Sequence, residues 1–189
     1  MLRRLLLMFC LTLAISPVLV SAKEPAYGTS KFITFDDINE TEQLKVVFDF
    51  NFEDPSGVKR ALYPVSYTLK TVQEYGPVSF DPIDAVVVSH GAEVVAFAKK
   101  NYEKYKDTID HAARLASMGV RFLVCSVAAE TLGYNPDDFH GFVSVVPTGA
   151  YAMIYYQNKG YSLMPGAATV PVDIVNSYNE PYLGNRIKL

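Results

Sequence analysis

Tryptophan is absent from these 189 residues, cysteine occurs twice and histidine three times. Cys10 lies within the apolar amino-terminal run, so Cys125 is the single thiol of the chain that follows it. One thiol forms no internal disulfide, and a disulfide oxidoreductase ordinarily needs a second to resolve its adduct. His90, His111 and His140 are far apart in sequence with no ligand-like spacing, so no metal site is expected. Lysine and arginine form no block, which excludes nucleic acid and anionic membrane as favoured partners. A glycine-rich phosphate loop, a dinucleotide fingerprint and a Gly-x-Ser-x-Gly elbow are all missing, so no cofactor is expected and serine-hydrolase chemistry has no support. Internal repeats and low-complexity tracts are missing too. Thirteen tyrosines and eleven phenylalanines supply the aromatic content, and they read as core and subunit-contact material rather than a stacking platform.

What is present begins with Met1-Leu2-Arg3-Arg4, an apolar run over residues 5–20, and Val20-Ser21-Ala22. That order predicts a signal peptide cleaved after Ala22, an exported (periplasmic or secreted) protein, and no stable membrane insertion after cleavage. The run is shorter than the roughly 20 residues a spanning helix needs. Without Arg3 and Arg4 the seventeen basic residues become fifteen against twenty acidic, a net charge of −5. Residues 23–43 are polar and aperiodic and read as an arm. Residues 44–166 carry the regular pattern of one domain, and 167–189 read as an extension with Pro171 and Pro181.

Within the domain, apolar runs at Leu44–Phe52, Asp84–Ser89, Val120–Cys125, Phe142–Val146 and Tyr161–Met164 predict five strands. Helical spacing joins Val58, Ala61, Leu62, Val65, Leu69 and Val72, with Pro64 predicted to delay or kink that helix. A second helix is predicted over Tyr102–Met118, stopped by Gly119, and others near Ala128–Leu132 and from Ala150. Strands alternating with helices predict an α/β fold: a single domain with a mainly parallel five-stranded sheet and helices on both faces. Ligand and catalytic groups of such sheets gather at the carboxyl ends of the strands. Cys125 and His90 both fall there.

A thiol at a strand end, facing the first turn of a helix, feels partial positive charge from unpaired amides, which favours thiolate. A thiolate can take sulfane sulfur as a persulfide and yield it to another thiol. His90 could orient that thiolate or give a proton to a leaving group. Two plainer readings stand beside these: Cys125 as a small buried hydrophobe, and His90 as a cap on a strand-end carbonyl. His140 is expected in a solvated loop and His111 on a helix surface. Glu93 and Glu130 read as ordinary acids at helix starts. Pro147-Thr148-Gly149 reads as a turn that could also present amides to an anion.

Val86-Val87-Val88-Ser89-His90-Gly91, then Gly119-Val120-Arg121-Phe122-Leu123-Val124-Cys125, Val145-Val146-Pro147-Thr148-Gly149-Ala150 and Gln157-Asn158-Lys159-Gly160-Tyr161 together resemble the DsrE/DsrF-like, YchN-type family. The resemblance spans about residues 44–166. It implies a five-stranded α/β fold, a homo-oligomer (trimer or hexamer) and, for the best-known members, sulfur relay through a cysteine persulfide. Cys125 stands where many members keep a cysteine, and His90-Gly91 where they keep a post-strand His-Gly. The partner would be a sulfur donor or acceptor protein, or a small sulfur compound. The familiar sulfur-relay members are cytoplasmic, whereas this chain carries an export pattern. The competing reading is a non-catalytic oligomeric binding or assembly module with a structural cysteine. A dimer disulfide-linked through Cys125 is disfavoured, since a strand end should be recessed.

Overall fold

The computed structural model describes residues 43–75 and 83–166. The predicted signal peptide, the arm up to residue 42 and the 167–189 extension lie outside the described residues. Five strands form one sheet: β1 (Lys45–Phe50), β2 (Asp84–Ser89), β3 (Arg121–Cys125), β4 (Val143–Val146) and β5 (Ser162–Pro165). All four pairings are parallel, and the spatial order is β4-β3-β2-β1-β5. The helices are α1 (Gly57–Tyr75), α2 (Tyr102–Ser117), α3 (Ser126–Thr131) and α4 (Gly149–Asn158). A 3-10 segment, Ala92–Phe97, follows β2.

Strand order dictates which face each helix covers. The chain steps from β1 to β2, β3 and β4 in one direction, then returns to set β5 beside β1. Parallel crossovers keep one hand, so forward steps leave their helices on one face and the return step on the other. The packing agrees. Val46, Phe48, Phe50, Ala85, Val87, Phe122 and Val124 pack with Val58, Leu62, Ile109, Leu115 and Ala129 of α1, α2 and α3. The alternate residues Val47, Val86, Val88 and Leu123 pack with Ala152 and Met153 of α4, with Val146, Tyr156 and Tyr161 at the margin. Both faces are buried along β1 to β3, which is why these strands read as unbroken apolar runs.

Pro64 does not break α1. The carbonyl its ring leaves unpaired, four residues back, belongs to exposed Arg60, where water can satisfy it. Gly119 closes α2 at φ 98°, a conformation that costs glycine little and other residues much.

Candidate functional site

The forward and return crossovers diverge at one place. β3 leads into α3 on the crowded face, while its neighbour β4 leads into α4 on the other face. Adjacent strands whose connections leave in opposite directions open a crevice between their carboxyl ends, where open α/β sheets bind ligands. An open cavity of about 460 Å³ runs along β4 to this end, lined by Ser126, Pro136, Val143, Val145, Val146 and Pro147; Val143 and Val145 set it mainly on the α3 face of the sheet.

Cys125 is the last residue of β3, paired in register with Val146 and followed directly by Ser126. It is a free thiol, 6% exposed. Leu123 belongs to the α4-side core and Val124 to the other, so alternation places the Cys125 side chain on the α4 face. It occupies the cap position of α3 without making a capping hydrogen bond. A thiol this recessed is poorly placed to pair with a cysteine of another chain, which requires the two Cα atoms within about 7 Å.

His90 is the first residue past β2. Ser89 pairs with Val124, so His90 falls one row on, level with Cys125. Its Nε2 lies 2.7 Å from Asp49 Oδ1 on the far neighbour β1. Asp49 pairs with Val88, an α4-side residue, so carboxylate, imidazole and thiol share one face of three adjoining strands. Gly149, the first residue of α4, presses on the ring: a Cβ there would stand 2.5 Å from His90 Cβ and 2.7 Å from Cγ.

A second carboxylate fixes the backbone beneath. Glu93 is fully buried; Oε1 accepts from Ser89 Oγ (2.7 Å), His90 N (2.9 Å) and Gly91 N (3.0 Å), and Oε2 from Phe52 N (2.8 Å). This is more than the helix-start acid expected from sequence. It ties the carboxyl end of β2 to the segment after β1. Neither Asp49 nor Glu93 stood out in the sequence as a site residue; the one available clue was an acid inside the apolar run Val46-Val47-Phe48-Asp49-Phe50.

The other singled-out residues lie elsewhere. His140 is not a solvated loop residue: its ring stacks on Phe142 (5.8 Å) and meets Tyr102 edge-on (5.7 Å), and its buried Nε2 has no partner among the described residues. His111 is not free on the surface of α2 but lies 2.8 Å from Ser66 Oγ on α1. Desolvation, helped by Arg114, lowers the His111 pKa, and desolvation with Lys99 does the same to His140. Glu130 accepts from Ser126 Oγ at 2.6 Å, a local α3 contact at the cavity rim. Thr148 caps α4 by accepting from Tyr151 N at 3.0 Å. Among the described residues no three His, Cys, Asp or Glu side chains converge as a metal site.

A solved protein of unknown function from Methanobacterium thermoautotrophicum shares this fold, with a TM-score of 0.53 and 22% sequence identity over 65% of this chain and 99% of that one. No curated protein matches the sequence. The sequence profile of the DsrE/DsrF-like family matches residues 45–165, which contain every strand of the described residues and the Asp49, His90 and Cys125 row. The chain belongs to the DsrE/DsrF-like family.

Proposed function

We propose that this protein is an exported sulfur carrier that holds sulfane sulfur on Cys125 as a persulfide. The observation that carries the reading is that Cys125 and His90 end neighbouring strands in the same row and on the same face, at the carboxyl edge of the sheet. Family membership supports relay chemistry, and the Arg3-Arg4 and apolar leader pattern supports export.

In the loading step the Cys125 thiolate attacks the outer sulfur of a donor persulfide. The Sγ–S bond forms, the donor S–S bond breaks, and the donor's inner sulfur departs with the electron pair and takes a proton. His90 is the group at hand to supply it. Unloading is the reverse: an acceptor thiolate takes the outer sulfur and Cys125 thiolate is regenerated. No net oxidant or reductant is consumed, so one cysteine suffices.

Intact-mass measurement after incubation with a small-molecule persulfide tests the proposal. A reductant-reversible gain of about 32 Da, one sulfur atom, is expected, and Cys125→Ser should lack it. A thiol that neither alkylates nor gains sulfur in the folded protein would leave the second reading: an oligomeric binding or assembly module with a structural cysteine. What favours that alternative is the outward face of α4, where Tyr151, Ile154 and Tyr155 are exposed.

A further inference from the structure

Asp49 is an odd residue for its place. Its neighbours in β1, Val47, Phe48 and Phe50, are fully buried, and a strand covered on both faces does not ordinarily spend a position on a carboxylate. Its side chain remains 36% exposed and meets His90 Nε2 at 2.7 Å across 41 residues of sequence. An ionised carboxylate only accepts hydrogen bonds, so Nε2 carries the proton that joins the two. In neutral His90 the lone pair then belongs to Nδ1, which makes no hydrogen bond among the described residues, Cys125 included, and is the ring nitrogen left to serve the thiol that ends the same row.

Two further contacts keep the ring from choosing otherwise. Gly149 of α4 closes on the Cβ, Cγ and Cδ2 edge, and Glu93 holds the backbone amides of His90 and Gly91. The imidazole is therefore fixed from three elements of the fold. Holding an imidazole in one tautomer is what a carboxylate partner contributes when the ring must move a proton to or from a neighbouring nucleophile.

We infer that Asp49 is a positioning residue, which holds His90 in the Nε2–H form so that Nδ1 exchanges a proton at the Cys125 sulfur. In the sulfur-carrier reading, on which this role rests for its purpose, the proton is the one the departing donor sulfur takes. The Asp49–His90 pair acts on the thiol whatever the thiol then reacts with, so the two ideas fail separately.

The test uses the full chain and iodoacetamide as the probe of Cys125. Alkylation rates are measured from about pH 5.5 to about pH 9, a range that brackets ordinary imidazole and thiol titration. Asp49→Asn, nearly isosteric, and His90→Gln should each slow alkylation about tenfold near neutral pH and alter the pH profile alike. Because both act through one ring, the double variant should be no slower than His90→Gln alone. Wild-type nitrogen NMR needs no variant to fold: at about pH 8 it should show His90 protonated at Nε2 and bare at Nδ1. An Asp49→Asn protein with the wild-type rate and profile, additive effects in the double variant, or the opposite tautomer would each overturn the assignment. Slowed alkylation in Asp49→Asn, together with a wild-type protein that gains no sulfur from a small-molecule persulfide, would keep Asp49 in this role and remove the carrier reading.

Discussion

At the scale of single residues, the decisive side chains are two carboxylates that link positions about forty apart in sequence. Glu93 satisfies four donors from one buried side chain. Glu93→Gln keeps the volume, but with its oxygen toward Ser89, His90 and Gly91 its NH2 group meets the Phe52 amide, which then lacks an acceptor. Orphaned buried donors cost about 1–3 kcal/mol each, so on the order of 3 kcal/mol should be lost after partial rearrangement. A thermal melt that falls by only a degree or two would show that water or a shifted turn takes over these bonds. Gly149 makes the complementary point through space. Gly149→Ala forces a Cβ into the His90 ring, an overpacking that typically costs about 1–3 kcal/mol. It should also slow Cys125 alkylation, because the ring can yield only by leaving Asp49. Cys125 and His90 were legible in sequence because each closes an apolar run that ends in small or turn-forming residues. Asp49 and Glu93 were not, because their meaning depends on which strand end lies beside which.

At the scale of elements, periodicity located every strand and α-helix of the described residues, to within a few residues at the ends, because burial on two faces writes itself into unbroken apolar runs. What period alone misses is how helices clasp. Ser66 Oγ donates its one proton to Leu62 O at 3.0 Å, so His111 Nε2 must donate to Ser66 across the α1–α2 contact. The pair is a helix clasp, since a hydroxyl committed to a backbone carbonyl is no nucleophile. Its electrostatics give a pH dependence with a definite sign. Burial and Arg114 hold His111 below the ordinary imidazole value of 6.5. Between that value and the lowered one the unfolded chain binds more protons, so stability rises with pH there. It is fully present above about 6.5 and drains away as the solution is acidified through the lowered value. His140 acts in the same direction. Melting temperatures should therefore drop on acidification below 6.5. His111→Gln, which can still donate to Ser66, should flatten part of that drop, and an unchanged pH slope would assign it to other groups.

At the scale of the whole molecule, unequal cover on the two sheet faces is the feature that remains to be satisfied. The sequence predicted helices on both faces, but an apolar run reads the same whether three helices or one lie over it. Strand order, which decides the matter, has no local sequence mark. Among the described residues only α4 covers the second face, and its far side presents Tyr151 and Ile154 at 60% exposure and Tyr155 at 46%. These residues follow i, i+3, i+4 spacing and form one stripe. On the edge strand β5, Leu163 and Met164 are also exposed, at 48% and 36%. An exposed apolar stripe of this kind generally marks an interface, and self-association into the trimer or hexamer that the family resemblance implies would cover it; Met164, in register with Phe48, lies on the other face of the sheet. Tyr151 and Ile154 point away from the α4-side core, so changing them should leave the fold intact. The double variant Tyr151→Lys with Ile154→Lys places like charges on the stripe. In light scattering after size exclusion it should yield a smaller species than the wild type, with circular dichroism unchanged. Because His90 is gripped by the first residue of the same helix, the dissociated variant also asks whether assembly supports the site. If oligomerisation steadies α4, Cys125 should alkylate more slowly in the dissociated protein. An equal rate would confine the Asp49, His90 and Cys125 arrangement to the single subunit, and a wild-type protein already monomeric at micromolar concentration would leave the α4 stripe to a different partner.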